Sequence, residues 1–156
     1  NTMRRIFFVF LLHLPVAVIA QKYFDKSRGD VKKELEKYVL DNKSISPKLT
    51  ETDSTLVLAV HDPAVQPARF IYGFDKSTGQ CNYQRTIASC DSCYKKYLDN
   101  LLGQIEYQWK KINENQYVSK FADHLLLELR VEDNDYSFTL FKTAWTKELY
   151  DILQQN

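Results

Sequence analysis

The sequence predicts an α+β domain: an antiparallel sheet of about five to six strands with helices packed on one face, in the order α-βββ-α-βββ-α. Three observations carry that reading. Apolar residues recur at helical spacing over roughly 28–42 and again over 92–113. Short runs that alternate apolar and polar residues lie between and after these stretches, as in strands with one buried face. The links joining those runs are too short for parallel crossovers, except where the long helix intervenes.

The first helix opens at Ser27, whose spacing to Asp30 suits a capping box, and its apolar stripe is Val31, Leu35, Tyr38 and Val39. Asn42 to Asp53 reads as a polar link, with Pro47 preventing continuation of the helix. Ser54 to Val60 sets Leu56, Leu58 and Val60 against Thr55, Val57 and Ala59, a mostly buried strand. After a turn marked by Asp62, Pro63 and Pro67, Phe70, Tyr72 and Phe74 share one face of a second strand. Asp75 to Gly79 has hairpin-loop chemistry and leads to a third strand over about 80–88, with Cys81, Tyr83 and Ile87 on one face.

Asp91 or Ser92 caps the long helix over about 92–113. Its stripe is Tyr94, Tyr97, Leu98, Leu101, Leu102, Ile105, Trp109 and Ile112, and Gly103 within it costs about 1 kcal/mol relative to Ala. A short strand at Gln116 to Lys120 precedes a longer one built on Leu125, Leu127, Leu129 and Val131. Asp133-Asn134-Asp135 turns the chain into a last strand that buries Tyr136, Phe138 and Leu140. Trp145, Leu149, Ile152 and Leu153 form a closing helix.

The N-terminal residues have a different character. Arg4 and Arg5 precede an apolar run from Ile6 to Ile19, and Val18-Ile19-Ala20 offers small or β-branched residues to a signal peptidase before Gln21. This is the layout of a secretory signal peptide over residues 1–20. The run is short for a bilayer span, which needs about 20 apolar residues. The expectation is a secreted or periplasmic protein with one α+β domain over 21–156 and no stable membrane span after cleavage. Of the 21 basic and 20 acidic residues, cleavage removes Arg4 and Arg5, leaving 19 against 20. A chain so balanced lacks the basic excess of a nucleic-acid binder or a polybasic membrane-surface protein. Ten Tyr and nine Phe against four Gly and four Pro suit a packed, strand-containing domain.

Three cysteines follow the leader: Cys81, Cys90 and Cys93. In an oxidising compartment the favoured reading is a structural disulfide from Cys81 to Cys90 or Cys93, which leaves one thiol over. The competing reading is a redox pair, Cys90-Asp91-Ser92-Cys93, at a helix N-terminus that favours a thiolate, with Cys90 as nucleophile and Cys93 as resolving thiol. Against it, all four prolines precede Cys90, so no downstream proline loop faces the pair. Tyr94 replaces the His of a haem-attachment motif, and a second ligand pair for structural zinc is missing, so neither cofactor nor metal is expected.

Other motifs have ordinary explanations. His61-Asp62 and Asp123-His124 are sequence neighbours whose side chains diverge on a strand. Arg28-Gly29-Asp30 starts a helix, Asn42-Lys43-Ser44 is a glycosylation sequon in a loop, and Tyr94, Tyr97 and Trp109 read as core. Val57, Leu126 and Phe141 fall on the outward side of their strands. If they share the second face, that face is a contact surface for an unknown protein, a small molecule or a second copy, the oligomeric state being open.

The leader ending at Ala20-Gln21 is similar to those of proteins exported by Bacteroidetes-type bacteria. Phe70-Ile71-Tyr72-Gly73-Phe74, Cys81, Tyr97-Leu98, Leu101-Leu102 and Trp109, followed by two long strands, resemble small exported proteins of unknown function from those bacteria. The resemblance spans about 70–145 and implies no activity, cofactor or catalytic residue. The expected function is that of a non-enzymatic binding module, with thiol–disulfide chemistry at Cys90 and Cys93 as the alternative.

Overall fold

The computed structural model describes residues 23–61, 67–132 and 135–155. The expected leader, Asp62, Pro63 and Asp133-Asn134 lie outside them. The elements are α1 (Arg28–Asp41), β1 (Lys48–Glu51), β2 (Thr55–Val60), β3 (Ala68–Phe74), β4 (Cys81–Ala88), α2 (Asp91–Leu102), β5 (Lys110–Asn113), β6 (Gln116–Val118), β7 (Leu125–Glu132), β8 (Asp135–Lys142) and α3 (Lys147–Leu153). One antiparallel sheet holds all eight strands in the order β1-β2-β3-β4-β8-β7-β6-β5. Two four-strand meanders thus meet where β4 runs beside β8, from Tyr83↔Phe141 to Ala88↔Tyr136.

The α+β class and the antiparallel sheet agree with expectation; the strand count and element order are corrected to α-ββββ-α-ββββ-α. Both unforeseen strands are outermost. β1 lies in what reads as a polar link, since an edge strand of Lys48, Leu49, Thr50 and Glu51 has little buried surface to impose alternation. β5 lies where the long helix was expected to continue. That helix stops at Gly103, and Ile105 beyond it is 86% exposed instead of extending the stripe. Trp109 turns back, its Nε1–H donating to Leu101 O at 3.1 Å.

The local signals at α1 act as read. Ser27 caps the helix, accepting the Asp30 N–H, and its hydroxyl donates to Asp30 Oδ2 at 2.6 Å. Val31 and Leu35 are fully buried against Leu56, Leu58, Phe70 and Tyr72 of the sheet. Burying each such aliphatic side chain is worth about 1.5–3 kcal/mol. Edge-to-face ring pairs, Tyr23 with Tyr72 at 5.3 Å and Phe70 with Tyr97 at 5.5 Å, hold the segment before α1 and α2 itself over this face.

Among the described residues two helices, not three, occupy the core face. No α3 residue belongs to the core cluster. The Tyr150 hydroxyl of α3 donates to Ser119 O at 2.8 Å, and Lys110 Nζ donates to Gln154 O at 2.6 Å. Lys110 pairs in register with Val118, and Val118 with Leu126, so this contact brings the end of α3 to the opposite face.

A bulge explains one further correction. Gly73 pairs with Tyr83 but Phe74 pairs with Cys81, so Asn82 is an extra residue in β4. The alternation flips there. Cys81 enters the core, while Tyr83 and Ile87 face the other side.

Candidate functional site

β4 delivers the chain directly into α2, and the cysteine pair sits at that junction. Ser89 N–H donates to Pro67 O at 3.1 Å, which anchors the end of β4 to the start of β3. Pro67 therefore lies beside Ser89, the residue before Cys90, although it precedes Cys90 by 23 positions; only strand pairing reveals that. Cys90 itself is the N-cap of α2, where Asp91 or Ser92 was expected: its backbone is extended (φ −154°, ψ 161°) and its Sγ accepts the Cys93 N–H at 3.1 Å. Ser92 Oγ lies 3.2 Å from Cys90 Sγ, a neighbour that residue spacing alone does not single out. Asp91 is drawn away by Lys95, one turn on, at 2.6 Å.

Cys90 and Cys93 form a disulfide with their Cα atoms 5.1 Å apart. Cys93 is buried, 5% exposed, beneath the half-buried Cys90. Cys81 is a free, buried thiol, which corrects the expected Cys81 bridge. The reason is geometric. Cys81 opens β4 and Cys90 follows its far end, so about 24 Å of strand separates them, whereas a disulfide needs Cα atoms within about 7 Å. Burial pushes the Cys81 thiol up to about 11, so it is protonated and inert at neutral pH.

A bridge across one helical turn does little as a staple. In the chain-entropy account a four-residue loop contributes about 2 kcal/mol, against about 3 for a bridge from Cys81 to Cys93. Its position suits chemistry better. When the pair is reduced, a Cys90 thiolate would keep the Cys93 N–H and the positive end of α2 as stabilising partners.

The expected face residues fall on the side of the sheet opposite α1 and α2, and the register decides which of them meet. Leu126 pairs with Phe141, and Phe141 packs edge-on against Tyr83 at 5.5 Å. Tyr83 lies across Gly73, where a Cβ would come within 2.9 Å of its ring. Val57 stands apart on β2, opposite Ile71, with β3 and β4 between it and β8. Val57, Leu126 and Phe141 are each half-buried, and Val118 next to Leu126 is wholly buried. Beyond this strip, Arg85 crosses the β4–β8 seam to Asp135 at 2.9 Å and Ser137 at 3.0 Å.

Among the described residues neither His61 nor His124 hydrogen-bonds a cysteine: His61 is exposed, and His124, in a left-handed turn (φ 53°), lies against the Phe121 ring at 4.6 Å. Arg28-Gly29-Asp30 forms the first turn of α1, and Arg28 pairs with Glu51 at 3.4 Å. Asn42 is tied by its side-chain amide to Tyr38 O at 2.9 Å. Tyr94 and Tyr97 are core residues, Tyr94 packing on Tyr136 and Phe138. Among the described residues no three of His, Cys, Asp and Glu converge as metal ligands, and no helix is long and apolar enough to cross a membrane. Compared with protein-family models, curated proteins and solved structures, the chain matches none.

Proposed function

We propose that the chain, exported by its N-terminal leader, exchanges disulfides with other proteins through Cys90 and Cys93. One observation carries this reading: the bridge spans a single helical turn, with the less buried sulfur capping α2 and the other buried behind it. A thiolate of the partner attacks Cys90 Sγ; the Cys90–Cys93 bond breaks and Cys93 leaves as a thiolate. A second partner thiolate then attacks the partner sulfur of the mixed disulfide and releases Cys90. The partner gains a disulfide and loses two electrons, which the cysteine pair gains; no cofactor is required. Incubation in glutathione redox buffers followed by thiol trapping and mass measurement tests it. The expected result is a reversible two-electron transition that Cys90→Ser abolishes and Cys81→Ser leaves unchanged. A pair that stays oxidised in millimolar dithiothreitol-free reduced glutathione, with no mixed disulfide trapped by Cys93→Ser, would defeat the reading.

A second reading, a non-enzymatic binding module, draws on the face opposite α1 and α2, where Leu126 and Phe141 form a half-buried strip with Tyr83. Leu126→Lys and Phe141→Lys should then leave the fold intact and abolish association with a partner protein. Unfolding of both variants would identify these residues as packing residues.

A further inference from the structure

We propose that the groove between α1 and the free edge of β1 receives an extended segment of another polypeptide, which joins the sheet as an added strand. The inference begins with the register. Thr52 N–H donates to Thr55 O at 3.0 Å, which makes these residues a hydrogen-bonded pair. Bonded and non-bonded pairs alternate along an antiparallel ladder. Thr50↔Val57 and Lys48↔Ala59 are therefore bonded, while Leu49↔Leu58 and Glu51↔Leu56 are not. The N–H and C=O groups of Leu49 and Glu51 consequently point away from β2. Among the described residues β1 has no other neighbour in the sheet, so they form an open backbone template.

The opposite edge of the sheet is protected and this one is not. β5 has an irregular register between Lys111 and Asn113, and its Lys110 is held by the end of α3. β1 pairs in regular register along its whole length. Beside it α1 forms a second wall, and Val39, Leu40, Pro47 and Leu49 give the groove an apolar lining. Leu40 is 63% exposed, a large apolar side chain at the lip of the groove.

The charges specify the occupant further. Glu51 is already engaged by Lys32 at 2.8 Å and Arg28 at 3.4 Å. Glu36 and Lys48, which also line the groove, have no ion pair among the described residues. A strand with apolar side chains at alternate positions, a cation near Glu36 and a carboxylate near Lys48 satisfies both the backbone and these charges. A second copy of the chain suits the groove less well: antiparallel self-pairing centred on Thr50 would set Lys48 opposite Thr52 and leave both charges unanswered.

The test titrates the 15N-labelled full chain with a pool of nine-residue peptides. Each carries Val, Leu or Ile at alternate positions, Thr between them, and Asp and Lys at opposite ends. Amide hydrogen exchange at Leu49 and Glu51 is expected to slow at least tenfold, while Thr50, already bonded to β2, is unchanged. Leu40→Glu, at an exposed site, and Glu51→Pro, which removes an outward N–H, should each weaken binding at least tenfold; Glu51→Ala should retain it. Exchange at Leu49 and Glu51 that stays fast at about 1 mM peptide, a ceiling near 4 kcal/mol of affinity, overturns the proposal. Undiminished binding by Leu40→Glu does so too. Slowing that depends on protein concentration without peptide would assign the edge to a second copy instead.

Discussion

Strands β1–β4 and β5–β8 are both four-strand antiparallel meanders, yet α1 lies over the first while the outer strands of the second are closed by α3 from beyond the core. α2 covers the seam, touching β4 and β8. The first meander contributes Leu56, Leu58, Val60, Phe70 and Tyr72 to the core, each at most 1% exposed. The second contributes Leu127, Phe138 and Leu140 near the seam; farther out, Val118 and Leu125 are buried, and Tyr150 of α3 adds a hydrogen bond to Ser119 and a ring contact with Phe121. Two similar strand patterns thus differ in what covers them: a helix of the core face over one, and a short terminal helix tied on by a ring contact and hydrogen bonds at the margin of the other.

The largest effect should come from alkali, because the tyrosine hydroxyls lie under the helices. Burial pushes Tyr94 and Tyr97 up to about 12, so the folded chain favours their neutral forms. Their contribution is full below the unfolded value near 10 and lost as the pH rises through 12. Urea unfolding at pH 9, 10, 11 and 12 should show a steep fall that follows tyrosinate absorbance near 295 nm; titration of all tyrosines before any loss of stability would contradict the burial described. Next in size, Leu58→Ala should cost about 2–5 kcal/mol by urea unfolding, and Leu126→Ala, on the half-buried face, clearly less. Equal losses would erase the distinction between the two faces. Smallest is Tyr150→Phe, at about 1 kcal/mol for one hydrogen bond. Amide exchange should show α3 opening before α1, and the substitution should accelerate exchange in α3 alone.

How much of this was legible depended on whether the signal was local. The Ser27 cap, the stripe of α1 and the alternation of β2, β7 and β8 are short-range patterns, and they led to the α+β class. β1 and β5 were not legible, because an edge strand half in water need not alternate. The end of α2 was obscured because Ile105 and Trp109 continue the helical spacing after the helix has stopped. At the cysteines the motif was legible but the pairing was not: the length of β4 separates Cys81 from the pair, and the extent of that strand is not written in residue spacing. Pro67 beside Ser89 and the outward edge of β1 emerge only once strands are registered against one another.

The seam between β4 and β8 has a consequence for biogenesis. Its partners, such as Arg85 and Thr139, are separated by more than fifty residues of chain. Until β8 emerges, β4 is a temporary margin eight residues long, bearing Tyr83 and Ile87 with half its backbone unsatisfied. A chain made N-terminus first exposes that margin throughout synthesis of its second half. Holdase protection, or a pause after α2, would therefore matter more to yield than the stability of the completed sheet.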